Sequence, residues 1–213
     1  MSVDFANLRR TYESAPFDVG DVQGDPLEQF ATWFQDAQRS ELFEPNAAVL
    51  ATADEHGRPS ARHVLVKGLG TEGFVFFSNY HSRKGAELAA NPFATLVFTW
   101  SPLARQVVIE GGVRRLDARA SDTYFDSRPR ASQLGAWASQ QSTELVSRAA
   151  LDDAYAAAEA TFAGRDVPRP EHWGGYLLEP QRIEFWQGRP SRLHDRICYL
   201  ASDTGWRIVR LAP

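Results

Sequence analysis

Apolar positions along this chain switch between two periods, and the switches divide it into elements. Leu27, Phe30, Phe34 and Ala37 recur at helical spacing. They follow Asp25-Pro26-Leu27-Glu28, which supplies an N-cap, a proline at the first helical position and a glutamate at the capping-box position, so a helix starts there. Short β-branched and aromatic runs bounded by turn residues then predict strands over Ala47–Ala53, 60–67, Gly73–Asn79, Phe93–Trp100, 105–111 and 112–116. Between the third and fourth of these, Ser82 followed by helix formers predicts a short helix over 82–90. The pattern turns helical from Asp117 to about Ala163, broken at Pro129 and again near Gln140-Gln141-Ser142. Strands return over 182–187, 197–201 and 206–211. Closely spaced strands with turn signals predict an antiparallel barrel with peripheral helices, an α+β fold that is mainly β.

No linker rich in Pro, Gly or Ser divides residues 25–213, and 213 residues with 43 % hydrophobic content suffice for one sizeable core, so a single domain is expected there. Residues 1–24 lack either periodicity and read as a mobile segment. A net charge of −4 argues against a general nucleic-acid binder, and local basic clusters in an acidic chain point instead to small anionic ligands. No apolar run approaches the roughly 20 residues that cross a bilayer. The lone Cys198 excludes an intrachain disulfide and supports no metal site, and the start lacks a signal-peptide pattern, so a cytoplasmic location is expected.

Three basic elements carry the candidate chemistry. Arg83 and Lys84 occupy the first turn of the helix that Ser82 caps, where unpaired N–H groups already favour anions. Two cations there are locally unfavourable unless a phosphate or carboxylate joins them, the plain alternative being a solvated surface pair. Along the predicted strand at 60–67, Arg62 shares a face with Val64 and Val66, while Lys67 shares the other with His63 and Leu65. The two cations therefore point apart unless the strand bulges or ends near Lys67. Finally, Ile183-Glu184-Phe185-Trp186-Gln187 runs into Gly188-Arg189-Pro190-Ser191 and then Arg192-Leu193-His194-Asp195-Arg196. If the chain is extended after that loop, Arg192, His194 and Arg196 share one face beside the Trp186 indole, a group suited to a planar anionic ligand.

At 183–196 this motif resembles the diagnostic signature of the pyridoxamine/pyridoxine 5′-phosphate oxidase family without a mismatch, and the resemblance covers nearly the whole chain. Supporting blocks include Arg62–Lys67 with Phe77-Ser78-Asn79, Ser82-Arg83-Lys84, Tyr124-Phe125-x-Ser127-Arg128-Pro129, Ser132-Gln133-x-Gly135-Ala136-Trp137 and Trp173-Gly174-Gly175. Phe77-Ser78 departs from the family's frequent tyrosine and threonine but preserves an aromatic ring and a hydroxyl. The resemblance implies a split β-barrel that binds FMN between the subunits of a homodimer. It assigns FMN contacts to Arg62, His63, Val64, Leu65, Val66, Lys67, Phe77, Ser78, Arg83, Lys84, Gln106, Gln141, Ser142, Trp186 and Arg196.

The same resemblance assigns the substrate's phosphate to Lys67, Tyr124, Arg128 and Ser132, places Arg192, Leu193 and His194 at the substrate's ring, with Arg192 and His194 as catalytic residues, and gives Arg9 and Tyr12 to a closing N-terminal segment. The implied reaction oxidises pyridoxine 5′-phosphate or pyridoxamine 5′-phosphate to pyridoxal 5′-phosphate, with O2 as acceptor. Two other readings stand beside it. One is a related flavoenzyme acting on a reduced heteroaromatic such as a dihydrophenazine, which need not keep the phosphate-side residues. The other is a non-enzymatic binding module, which would leave the hydride-side residues unexplained.

Overall fold

The computed structural model describes residues 11–213. In chain order its elements are α1 (Pro26–Arg39), β1 (Ala47–Ala53), β2 (Pro59–Gly70), β3 (Gly73–Asn79), α2 (Arg83–Ala90), β4 (Phe93–Trp100) and β5 (Arg105–Arg115). There follow α3 (Ala118–Asp126), α4 (Arg130–Ala138), α5 (Arg148–Thr161), β6 (Trp173–Gln187), β7 (Asp195–Ser202) and β8 (Gly205–Arg210). The strands pair in the order β3-β2-β1-β4-β5-β6-β7-β8, and a further β3–β6 pairing closes the first six into an antiparallel barrel. This is the α+β barrel expected from the pattern. Among the described residues no helix is long and apolar enough to cross a membrane.

Three expectations need correction. The two strands expected over 105–116 are one, β5, because the Gly111-Gly112 pair does not turn the chain. A Cβ on Gly111 would lie 2.0 Å from the Glu179 carbonyl oxygen, so glycine here permits close approach of two backbones rather than a bend. β6 starts at Trp173 instead of 182; its first six residues are all buried, so no alternation marked them as a strand. Finally, the segment after the loop is not extended. Pro190–Arg192 forms a 3-10 turn in which Ser191 and Arg192 take φ values of 57° and 62°, and β7 begins only at Asp195. Arg192 and His194 therefore do not share a strand face with Arg196.

Cα proximity divides the chain into two compact units. One comprises Met1–Ala48, Leu96–Glu110 and Gln181–Pro213. Its core is aromatic. Phe30 and Trp33 of α1 meet Phe98 and Phe185 at centroid distances of 4.9 and 5.2 Å, and Trp100 donates from Nε1 to the Pro45 carbonyl at 2.9 Å. α1 starts where its sequence says, with the Asp25 carboxylate accepting from Leu27 N–H at 2.7 Å.

The other unit comprises Val49–Thr95 and Gly111–Pro180. Here β3 pairs with β6 from Phe74↔Leu178 to Asn79↔Trp173, with Phe76 stacked on Tyr176. Phe125, Leu134, Ala158, Phe162, Val167 and Trp173 form a second cluster under α3, α4 and α5. Burying such side chains stabilises by about 1.5–3 kcal/mol each, which fixes the helices against β3 and β6.

Candidate active site

A cavity of about 650 Å³ opens in the second unit, lined by β2, β3, the start of α2, the α3–α4 region and Trp173. Lys67, Lys84 and Arg128 line it, and among the described residues no aspartate or glutamate does. Lys67 reaches it together with His63 and Leu65, the face-mates that alternation gives it, while Arg62 does not line it, so the two cations point apart; a register shift of β2 against β3 falls between Val66 and Gly68. His63, Val64 and Leu65 also line the cavity, while Val66 is buried in the core.

Lys84 is the central cation. The Ser82 hydroxyl caps α2 by accepting from Gly85 N–H at 3.3 Å, and Gly85 lets the helix start close in, since a Cβ there would meet the Tyr80 carbonyl oxygen at 2.1 Å. This places Lys84 with only 8 % of its surface exposed. Its Nζ donates to Gln141 Oε1 at 2.9 Å, Ser78 Oγ at 3.1 Å and Ser82 Oγ at 3.3 Å, all neutral acceptors. Burial, helped by the nearby Arg62 charge and opposed by Glu87, lowers the ammonium pKa to about 8.

Arg83 and Arg62 behave differently. Glu87, 5 % exposed, takes the Arg83 Nε at 2.8 Å and the Arg62 Nη2 at 3.1 Å, along with the hydroxyls of Thr52 and Ser60 at 2.5 and 2.6 Å. Arg62 also donates to the Leu50 carbonyl at 3.2 Å. Burial alone would raise the Glu87 carboxyl, but the four hydrogen bonds outweigh it and bring the pKa down to about 2. A carboxylate thus joins both arginines, and neither lines the cavity.

Opposite Lys84, Tyr124 from α3 stacks on Phe77 at 3.8 Å, and the Arg128 guanidinium lies 4.6 Å from the Trp173 ring centre. Arg128 Nη1 is buried with no hydrogen-bond partner among the described residues. Burial lowers the Arg128 pKa from its ordinary value and raises that of Tyr124, their mutual interaction opposing both shifts. Pro129 ends α3's direction, so Ser132 approaches from α4, not from the helix that carries Tyr124. Ser142, at φ 74°, is exposed and outside the lining. Asn79, Ser127, Pro129, Gly135, Ala136, Ser139 and Trp173 also line the cavity without having been assigned a role. Membership of the family-like blocks was the available signal for all but Ser139.

In the first unit, Trp186 and His194 lie 4.6 Å apart, with Tyr12 at 5.9 Å from each. Arg189 N–H donates to His194 Nδ1 at 3.1 Å, which leaves Nε2 to carry the proton of the neutral ring. Burial, then the Arg192 charge, lowers the His194 pKa, with Asp195 opposing. Arg196, paired with Trp186 across β6 and β7, makes a bidentate bridge to Glu184 at 2.7 and 3.1 Å. Gln106 is half-buried on β5, while Arg192 and Leu193 are exposed. Arg9 lies outside the described residues.

Comparison with known proteins gives the family. The family model described as pyridoxamine 5′-phosphate oxidase matches residues 34–162, and that of the pyridoxine 5′-phosphate oxidase C-terminal dimerisation region matches 173–213. A pyridoxine/pyridoxamine 5′-phosphate oxidase of Burkholderia thailandensis is 56 % identical over 98 % of both chains. One from Cyanothece sp. PCC 7425 is 50 % identical over all of both. Among solved structures, PhzG from Burkholderia lata 383, in complex with tetrahydrophenazine-1-carboxylic acid, superposes with a TM-score of 0.89 at 31 % identity, covering 96 % of this chain and all of that one. With both family regions matched and its full length shared with such relatives, this chain belongs to the pyridoxamine 5′-phosphate oxidase family of oxidoreductases.

Proposed function

We propose that the protein, as a homodimer, binds FMN and oxidises pyridoxine 5′-phosphate and pyridoxamine 5′-phosphate to pyridoxal 5′-phosphate, using O2 and releasing H2O2. The supporting observation is a cavity lined, among the described residues, by three cations and no carboxylate. Lys84, buried among neutral acceptors, and Arg128 Nη1, buried without a partner, both call for an anion. The residues therefore fit a phosphorylated cofactor and a phosphorylated substrate. Lys84, Ser78 and Gln141, with the β2 strand, would hold the flavin. Arg62 and Arg83, tied to Glu87, would act on it from behind as fixed charge. Phe77 and Ser142 complete this set, with Gln106 contributed by β5 and Trp186 and Arg196 by the dimerisation region.

Lys67, Tyr124, Arg128 and Ser132 hold the substrate's phosphate, leaving its ring to Arg192, Leu193 and His194, with Arg9 and Tyr12 closing over it. FMN, when bound, supplies the hydride acceptor and returns the electrons to O2. Loss of hydride from the 4′ carbon, together with loss of the hydroxyl proton to solvent, turns the alcohol into the aldehyde; the neutral amine becomes an iminium ion, which water hydrolyses to the aldehyde with release of ammonia and a proton. The protein's part is orientation: anchoring the phosphate end fixes where the 4′ carbon lies. The neutral His194 ring offers Nε2–H as a hydrogen-bond donor and needs no proton of its own to remove.

A phenazine substrate, suggested by the PhzG likeness, is the weaker reading, because relatives named as pyridoxine/pyridoxamine 5′-phosphate oxidases are 50–56 % identical and PhzG 31 %. An oxygen electrode decides the matter. FMN-loaded protein should consume O2 with both phosphorylated vitamers and turn over unphosphorylated pyridoxine far more slowly. Equal rates with and without the phosphate, or failure to take up FMN, would overturn the proposal.

A further inference from the structure

We infer that Trp173 is a positioning residue for phosphate recognition: its indole face, stacked against the Arg128 guanidinium, fixes the direction in which that cation presents its free Nη1. The inference rests on the reading above that Arg128 binds the substrate's phosphate.

Arg128 sits in the Ser127-Arg128-Pro129 connection between α3 and α4, and a long arginine side chain on such a connection has many rotamers to lose. Its restraint is aromatic. Trp173 lies 4.6 Å away and Phe125 5.5 Å away, while the buried Nη1 has no hydrogen-bond partner among the described residues to hold it. A desolvated guanidinium over an aromatic face is attracted to it, most strongly when the ring is an indole.

The indole itself is fixed on several sides. Trp173 pairs with Asn79 across β3 and β6, and its carbonyl accepts from Arg169 Nη1 at 2.7 Å. Arg169 is in turn tied to Asp122 of α3 at 2.6 Å. Phe125 meets the indole edge-on at 5.2 Å, and Phe77 stacks with it at 5.5 Å. Trp173 is thus a rigid plate that preorganises a flexible cation, so the cost of ordering Arg128 is met before the ligand arrives.

The test is a double-mutant cycle on the FMN-loaded enzyme, with W173F and W173L made in the wild-type and R128A backgrounds. Equilibrium titration with pyridoxal 5′-phosphate and with pyridoxal gives a readout independent of turnover, and KM is measured for pyridoxine 5′-phosphate. W173F should weaken pyridoxal 5′-phosphate binding about threefold and W173L about tenfold or more, the scale of a desolvated cation–π contact. Binding of pyridoxal should change far less, and neither substitution should weaken pyridoxal 5′-phosphate further once Arg128 is alanine. Losses that add to that of R128A, or that are equal for pyridoxal and its phosphate, would reduce Trp173 to cavity wall and overturn the inference. If R128A alone leaves the preference for the phosphate intact, the reading of Arg128 fails first and takes this one with it.

Discussion

Lys84→Met should make the flavin-free protein more stable while making it a poorer anion binder. The buried ammonium is held near a pKa of about 8 against an ordinary 10.5, so below pH 8 the folded protein keeps it charged at a cost. A shift of that size corresponds to about 3 kcal/mol at 1.36 kcal/mol per unit; water at the cavity mouth screens part of it, leaving about 2 kcal/mol. The sign follows from proton counting. Between pH 8 and 10.5 the unfolded chain binds this proton and the folded one does not, so stability from this group rises with pH across that window.

Methionine fills a similar volume without the charge, so thermal unfolding of flavin-free K84M at pH 7 should occur several degrees higher, at about 2–4 °C per kcal/mol for a chain of this size. The gap should close towards pH 10.5 as the wild type sheds its penalty. FMN titrated into the same variant should bind about 10- to 100-fold more weakly, the loss of one charge-assisted hydrogen bond. Wild-type affinity should itself decline above pH 8. A stability gap that ignores pH, or a flavin-free K84M less stable than wild type at pH 7, would refute the claim that an uncompensated buried cation sits at this site.

The Glu87 network and His194 provide the remaining tests. Glu87→Gln leaves the half-buried Arg62 without its counter-charge and removes a buried carboxylate from its hydrogen bonds, and should cost about 3 kcal/mol in urea unfolding at pH 7, whereas Arg83→Ala, which removes only an exposed arginine from that carboxylate, should cost about 0.5 kcal/mol or less. Because the Glu87 pKa is depressed to about 2 from 4.5, its contribution is complete above pH 4.5 and lost as pH falls towards 2, so the E87Q and wild-type curves should converge there. Near-equal losses for E87Q and R83A would show that Arg62 does not depend on the carboxylate. NMR of the imidazole C–H signals should place the His194 pKa below 6.5, and Arg192→Ala should raise it by removing a like charge. No upward movement would put Arg192 outside the electrostatic reach of the ring.

How much of this was legible in the sequence depends on what kind of signal each residue left. β1, β3 and β4 fell at their expected bounds because β-branched runs between turn residues state a strand locally. β6 was read only in part because Trp173–Leu178 is buried on both faces and shows no alternation. The turn at Ser191 and Arg192 was invisible for another reason: neither residue type favours positive φ, so nothing in the local sequence announces it.

The candidate site divides along the same line. Arg83-Lys84 was marked as a pair of cations that an anion would join, yet a sequence does not say which anion answers which cation. Glu87 lies one turn beyond Arg83 on α2, and that spacing was readable as an i,i+4 pair. Its simultaneous capture of Arg62, Thr52 and Ser60 depends on β1, β2 and α2 meeting in space, which local sequence does not show. The fold therefore sorts the basic residues into two chemical classes. Arg62, Arg83 and Arg196 are already neutralised by buried carboxylates and supply rigidity, whereas Lys84 and Arg128 are held by neutral or aromatic groups and retain an unmet demand for negative charge. Phosphate affinity should accordingly be concentrated in the cavity cations Lys67, Lys84 and Arg128 rather than in Arg62, Arg83 and Arg196.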